Sequence, residues 1–272
     1  IANIPGIDFG LDNTITQHDL SADLGWLYDF SDHFQLKANL SYGFRAPNIF
    51  DLGTFGERPG NRFNIPNLDL ASEYVTQIDI GARYNSSYLN MELMFFRLDY
   101  RDRILSVLTG EKTSSGRLIT QSQNIGESDI SGIEFDTQFE LSSNASLFFV
   151  ANYIKGYQND LSLVKQPADR IPPFNGQLGL SIKLSDRFSM RSYYLFSDRQ
   201  DRLSSRDIRD PRINPEGTGG WGSFNMSGEW IFNHRLQLKV LLENISDKNY
   251  RLHGSGIDAV GRNISINIRT IW

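Results

Sequence analysis

Phe34-Gln35-Leu36-Lys37-Ala38-Asn39-Leu40-Ser41-Tyr42-Gly43-Phe44-Arg45 is the stretch on which the fold turns. Its even positions are all apolar or aromatic, and its odd positions are Gln, Lys, Asn, Ser, Gly and Arg. Successive side chains of a β-strand point to opposite faces, so this segment has one greasy face and one wet face. The same alternation recurs over 20–30, 74–84, 89–95, 133–141, 145–153, 174–184, 188–196, 224–232, 236–244 and 264–272, giving eleven candidate strands. No Asp, Glu, Lys or Arg stands at any of the 58 positions of the apolar phase. The facing phase, Arg45 included, carries 16 charges in 48 positions.

A soluble sandwich also alternates, but its strands average ~5–6 residues. Here Phe34 to Phe44 is ten steps of ~3.3 Å, which at a tilt of ~45° rises ~23 Å, close to the ~25 Å apolar band of an outer-membrane barrel. Complete exclusion of charge from one face fits lipid contact, since a Lys or Arg at the bilayer midplane costs ~2–4 kcal/mol. Aromatics at both ends of the segment (Phe34 at one, Tyr42 and Phe44 at the other) suit interfacial girdles, with Trp26, Tyr28 and Phe30 beside Phe34.

Composition narrows the classes further. The 272 residues carry 27 Lys plus Arg against 32 Asp plus Glu, a formal charge of −5, which gives no basic surface for nucleic acid. There is no Cys, which removes disulfides, thiol catalysis and Cys-bound metals. No apolar run approaches the ~20 residues of a spanning helix, and mean hydropathy is −0.37. No cofactor is expected. Catalysis is not expected either: none of the four histidines sits where a base beside a nucleophile is evident, and His253 next to Gly254-Ser255 is mere adjacency.

Connections alternate in length. Ser31-Asp32-His33, Ser86-Ser87, Ser142-Ser143-Asn144, Ser185-Asp186 and Asn233-His234 are tight and polar, whereas 46–72, about 110–117, about 155–173, 198–220 and 247–261 are long. Outer-membrane barrels pair short periplasmic turns with longer extracellular loops. The loop 198–216 holds five Arg and five acidic residues and reads as a neutral, solvated, ion-paired surface. With tight turns periplasmic, the first and last strands both run inward, and an odd number of such strands does not close a single-chain bacterial barrel. The expected fold is all-β, a transmembrane antiparallel up-and-down barrel of which these eleven strands are the C-terminal part. Residues 1–16 are the expected remnant of an extracellular loop and 17–272 the barrel portion.

Two groups of motifs then point to a family. Phe44-Arg45-Ala46-Pro47-Asn48, followed by Asn64-Ile65-Pro66-Asn67-Leu68 and Glu73, resembles the FRAP and NPNL boxes of TonB-dependent outer-membrane receptors. The second box departs from the pattern by the insertion of Ile65. Glu243-Asn244-Ile245-Ser246-Asp247-Lys248-Asn249-Tyr250-Arg251 is similar to the segment near the end of their barrels, and the last strand closes on the aromatic Trp272.

The resemblance implies a 22-stranded barrel with an N-terminal plug, in the outer membrane of a Gram-negative bacterium, taking up a scarce small-molecule nutrient. It implies as partners the outer-membrane lipid, the N-terminal half of the barrel and its plug (both expected outside this chain), and TonB with ExbB–ExbD acting through the plug. Haem receptors of the family carry a His between the two boxes, and none lies in 46–70 here, which disfavours haem and leaves a ferric siderophore, cobalamin or an oligosaccharide, the siderophore being favoured only because it is the commonest cargo of the family. Arg45, Asn48, Glu57, Arg58, Asn61 and Arg62 are the candidate ligand-binding residues. The rival reading is a passive porin, which accounts for the alternation but not for the motifs.

Overall fold

The computed structural model describes residues 16–159 and 164–270. Trp272 and nearly all of the expected loop remnant 1–16 fall outside them. Fourteen strands form one sheet: β1 Ala22–Asp29, β2 Phe34–Arg45, β3 Gly56–Arg58, β4 Arg62–Ile65, β5 Glu73–Asn85, β6 Leu89–Lys112, β7 Leu118–Ser142, β8 Ala145–Asn159, β9 Lys165–Pro167, β10 Asn175–Ser185, β11 Phe188–Ser197, β12 Trp221–Asn233, β13 Leu236–Glu243 and β14 Asn263–Thr270. The main path is β1-β2-β5-β6-β7-β8-β10-β11-β12-β13-β14, every neighbour antiparallel. These eleven are the segments that the alternation marks. The three short strands lie off the path in long connections, and β4 runs parallel to β7.

Among the described residues nothing packs on the apolar phase. Leu40 is 47% exposed, Ile80 55% and Leu178 51%, in line with their neighbours across the ladder. Only six apolar side chains among the described residues are buried, and four of them (Leu70, Val107, Ala168, Ile213) lie where long connections fold against the strand ends. A water-soluble chain of this length would bury far more. The sheet is therefore the wall of a transmembrane β-barrel, its greasy side turned to lipid.

Aromatic pairs border that side at both ends. Phe30–Phe34, Phe188–Trp230 and Trp230–Phe232 lie near the tight turns, with centroids 6.2, 5.7 and 5.1 Å apart. Tyr42–Tyr74 and Phe174–Phe196, at 5.8 and 5.5 Å, lie toward the long loops. The opposite face is laced with polar pairs: Lys37 and Arg83 both meet Glu92, and Asn39 donates to Asp23 at 3.0 Å. Arg191 lies 3.8 Å from the Phe148 ring centre, and Gly179 makes room beneath that ring, since a Cβ there would come within 2.3 Å of it.

The tight turns gather at one end, and a serine hydroxyl closes three of them. Ser31, Ser86 and Ser185 accept the backbone N–H three residues on, from Phe34, Leu89 and Phe188, at 3.0–3.1 Å. This is the local side-chain bonding that favours serine in turns.

One expectation falls short. Alternation ends β6 at Phe95 and begins β7 at Ile133, yet the two strands run on to Lys112 and from Leu118, leaving only a five-residue connection. Beyond Phe95 the outward phase carries Arg97, Asp99 and Arg101; Arg97 pairs with Asp129, and Arg101 pairs with both Asp99 and Glu127. The extension stands above the apolar band, where water wets the outward face and no longer selects against charge.

Candidate functional site

The long connections build the site. In 46–72 the chain turns on a five-residue helix, α1 Ile49–Gly53, capped by Asn48. The Asn48 side chain accepts from the N–H of Phe50 and Asp51 at 2.8 and 3.1 Å, and Asp51 accepts the Asn48 N–H at 2.9 Å. This reciprocal capping satisfies donors that a helix start leaves open. Arg45 anchors the same turn, at 2.6 Å from Asp51 and 2.5 Å from Glu73. Glu73 also accepts the Ile104 N–H at 2.6 Å, so one carboxylate ties β2, β5 and β6 together.

The chain then forms the β3–β4 hairpin, with Arg58 opposite Arg62 across the ladder. Asn61 takes the left-handed conformation (φ 55°) beside Gly60 (φ 84°), as the tight reversal requires. Glu57 pairs with Arg117 at 2.9 Å. Strand β4 docks along β7, placing Asn64 beside Thr120. Asn64 is buried, donating to the Thr54 carbonyl at 2.9 Å and accepting from Thr120 at 3.0 Å and Ser106 at 3.3 Å.

The result is a notch of about 340 Å³ lined by Phe50, Thr54, Arg58, Arg62, Asn64, Ser106, Thr120 and Ser122. Arg58 and Arg62 make no ion pair among the described residues, and Arg62 holds only the Pro59 carbonyl, at 3.0 Å. Two unneutralised guanidiniums above hydroxyl and amide groups make an anion-receiving surface.

Of the six residues singled out from the sequence, the structure brings Arg58 and Arg62 to the notch and sets Asn61 in the turn between them. Glu57 flanks them on the Arg117 side. Arg45 and Asn48 shape the loop, with their polar groups already engaged. Asn64, Ser106, Thr120 and Ser122 escape sequence reading, because three of them reach the notch from strands forty or more positions away. The insertion at Ile65 is the one local signal, since it falls at the end of the segment Arg62–Ile65 that pairs along β7.

The loop 198–216 is not the wholly solvated surface expected. It is ion-paired, Asp210 meeting Arg212 at 2.6 Å and Arg170 at 2.7 Å. These arginines hold the Asp210 carboxyl well below the usual carboxylate range. Its centre, however, is dry: around α2 (Ser205–Arg209), Ser204 and Asp207 are 0% and 1% exposed. Asp207 receives the Arg170 N–H at 3.2 Å, and Gln200 donates to the Ile171 carbonyl at 2.7 Å. His253, from 247–261, bonds Thr218 at 2.9 Å through Nδ1, while Ser255 donates to the Ile257 carbonyl, so no Ser–His couple forms. Burial pushes the His253 imidazole below its ordinary value. Three connections thus interlock.

An eleven-strand wall with an exposed apolar face and its long loops at one end is the architecture of an outer-membrane β-barrel. The family model "TonB dependent receptor-like, beta-barrel" matches residues 6–245, and the chain belongs to that family. The ferric enterobactin receptor PirA of Pseudomonas aeruginosa is 24% identical over 266 residues, covering 93% of this chain and 35% of that protein. An uncharacterised TonB-dependent receptor of Haemophilus influenzae is 25% identical over 170 residues, 60% of this chain and 43% of the relative. Among solved structures, the copper transporter OprC superposes with a TM-score of 0.73 at 21% identity, over 92% of this chain and 39% of OprC. A ferric enterobactin receptor (PfeA) of P. aeruginosa gives 0.72 at 17%, over 92% and 40%. At these identities the structures show the fold alone. The chain spans well under half the length of the relatives it matches. These relatives are receptors and transporters, in keeping with a chain that is not an enzyme.

Proposed function

We propose that this chain is the outer wall and loop cluster of a receptor that takes up a ferric siderophore across the outer membrane of a Gram-negative bacterium. Cobalamin and oligosaccharide are the other cargoes the family resemblance leaves open. The arginine notch carries the preference. Guanidiniums attract the oxyanions of a chelated metal, whereas they repel a bare cation and add little for a neutral sugar. The PirA relationship supports the same cargo class. In this reading further strands join the free edges at β1 and β14, and a plug fills the lumen. TonB, energised by ExbB–ExbD, draws on that plug to admit the ligand. Arg58 and Arg62 grip the anionic chelate, Asn61 and Glu57 border it, and Arg45 and Asn48 hold the loop that presents them.

The test is uptake of radiolabelled ferric chelates by cells carrying the full-length receptor as their sole route. Uptake is expected to stop with an uncoupler. Losing a hydrogen bond to a charged group removes ~1.5–3 kcal/mol, so Arg58→Ala/Arg62→Ala should weaken binding by at least about tenfold. Transport that persists without proton-motive force would make the barrel a passive channel and refute the proposal.

A further inference from the structure

The lipid side of the wall changes character just above the aromatics at the long-loop end. On β8 the outward phase continues from Tyr153 to Lys155 and Tyr157, all three exposed. At ~3.3 Å per residue and a ~45° tilt, Lys155 stands about 5 Å above Tyr153, and Tyr157 about 9 Å above it. The cations gathered here sit on rings. Lys155 Nζ lies 5.3 Å from the centre of the Tyr153 ring, and Lys165 Nζ 4.7 Å from that of Tyr157. The guanidinium carbon of Arg202 reaches the same Tyr157 ring at 5.0 Å.

Charge balance separates this patch from its neighbours. Lys155 shares one row across the sheet with Ser131 and Arg97. On β6 and β7, however, Arg97 is neutralised by Asp129, and Arg101 by Asp99 and Glu127. Lys155, Lys165 and Arg202 make no ion pair among the described residues, and Arg202 Nη2 is buried without a hydrogen-bond partner there. A ring face stabilises a cation without cancelling its charge, so three positive groups stay open to an anion. Directly below, the ladder is uncharged, with Tyr153 in register with Ile133 and Ala151 with Phe135.

We propose that the Lys155–Lys165–Arg202 patch binds the phosphorylated sugar headgroup of an outer-leaflet glycolipid, whose acyl chains lie on the greasy ladder beneath. Phosphate suits the patch because its oxygens accept from several ammonium and guanidinium donors at once. The cations are spread from about 5 to about 9 Å above Tyr153, a range of height that phosphates set apart on a sugar scaffold fill and the single phosphodiester of a glycerophospholipid does not. Free phosphate is a poorer occupant, since it gains nothing from the apolar ladder and is screened by salt. The patch lies on the outer side of the wall, away from the arginine notch, and does not depend on which cargo the receptor carries; it rests on the long loops being extracellular.

The experiment measures lipid retained by the purified full-length receptor in detergent, by native mass spectrometry. The probes are hexa-acylated lipid A, its bis-dephosphorylated form, phosphatidylglycerol and inorganic phosphate. The unaltered receptor should hold lipid A about tenfold or more tightly than either other lipid, and equimolar inorganic phosphate should not displace it. Lys155→Gln/Lys165→Gln should weaken lipid A about tenfold and leave the dephosphorylated form within about twofold. Lys155→Arg/Lys165→Arg should keep most of the affinity. Arg97→Gln/Asp129→Asn removes a neutralised pair at the same height and should leave lipid A binding unchanged. Heat-modifiable gel migration verifies that each variant is folded, and both lysines are exposed, so their exchange does not disturb packing. Equal retention of the dephosphorylated lipid would leave the greasy ladder as the only binder, and equal retention of phosphatidylglycerol would make the patch a general anionic surface. Displacement by inorganic phosphate would make it a site for the free ion. Each of these results overturns the proposal, as does an unchanged affinity in the Gln variant or an equal loss in the Arg97/Asp129 variant.

Discussion

Placing a charge at Leu40 and at its neighbour Asn39 separates a lipid-covered face from a water-covered one. Leu40 lies six residues above Phe34 on β2, about 20 Å along the strand and about 14 Å in height at a ~45° tilt, near the middle of a ~25 Å apolar band. It stands in register with Leu24 on one side and Ile78 on the other, so an arginine there finds no carboxylate across the ladder. The expected cost is ~2–4 kcal/mol, or a factor of about 30 to 1,000 in the folding equilibrium. Asn39 is one residue away on the opposite face. It already donates to Asp23 and stands in register with Asp79, so Asn39→Arg gains two acidic neighbours and should be close to neutral. Heat-modifiable gel migration of outer-membrane fractions reads the folded share, and urea titration in vesicles reads the free energy. Leu40→Arg should lose the fast-migrating folded band and Asn39→Arg should keep it. Equal behaviour of the two variants would falsify the assignment of faces.

Two further outcomes follow from the loop geometry. Glu73→Ala leaves the Ile104 N–H without its acceptor and Arg45 with Asp51 alone; an unsatisfied group of this kind costs ~1–3 kcal/mol, so trypsin should cut after Arg62 several-fold faster, with Glu73→Gln in between and an unchanged rate counting against the clasp. His253 titrates lower in the folded protein than its free value near 6.5, because burial outweighs the favourable Asp207 charge and Arg170 adds to the effect. The unfolded chain then binds more protons than the folded one once pH drops below about 6.5, so stability is greatest above that pH and falls until the lowered folded value is passed. Hydrogen-exchange protection across 247–261, taken relative to the intrinsic exchange rate at each pH, should fall between pH 7 and pH 5.5, and His253→Gln should flatten that response; wild-type protection that does not change with pH would remove the histidine from the loop's stability.

Alternation sufficed to locate all eleven wall strands and their greasy faces, because a bilayer imposes a two-residue period and a charge exclusion on every spanning segment alike. The serine-bearing turns were equally legible, since they close through bonds among residues three apart. Above the lipid boundary that constraint lapses, and the sequence lost the far halves of β6 and β7 at Arg97 and Asp129, where charged residues can face outward in water. The loop strands β3, β4 and β9 were invisible for the same reason. Sequence put Arg58 and Arg62 on the long connection 46–72, but it could not tell them from Arg45, whose partners Asp51 and Glu73 lie 6 and 28 positions on. Nor could it show that Ser106, Thr120 and Ser122 complete the notch, that Asp207 lies in a dry centre, or that Lys165 and Arg202 meet on the Tyr157 ring. Those are long-range encounters, decided when strands remote in sequence became neighbours in the sheet and their loops folded over the same end.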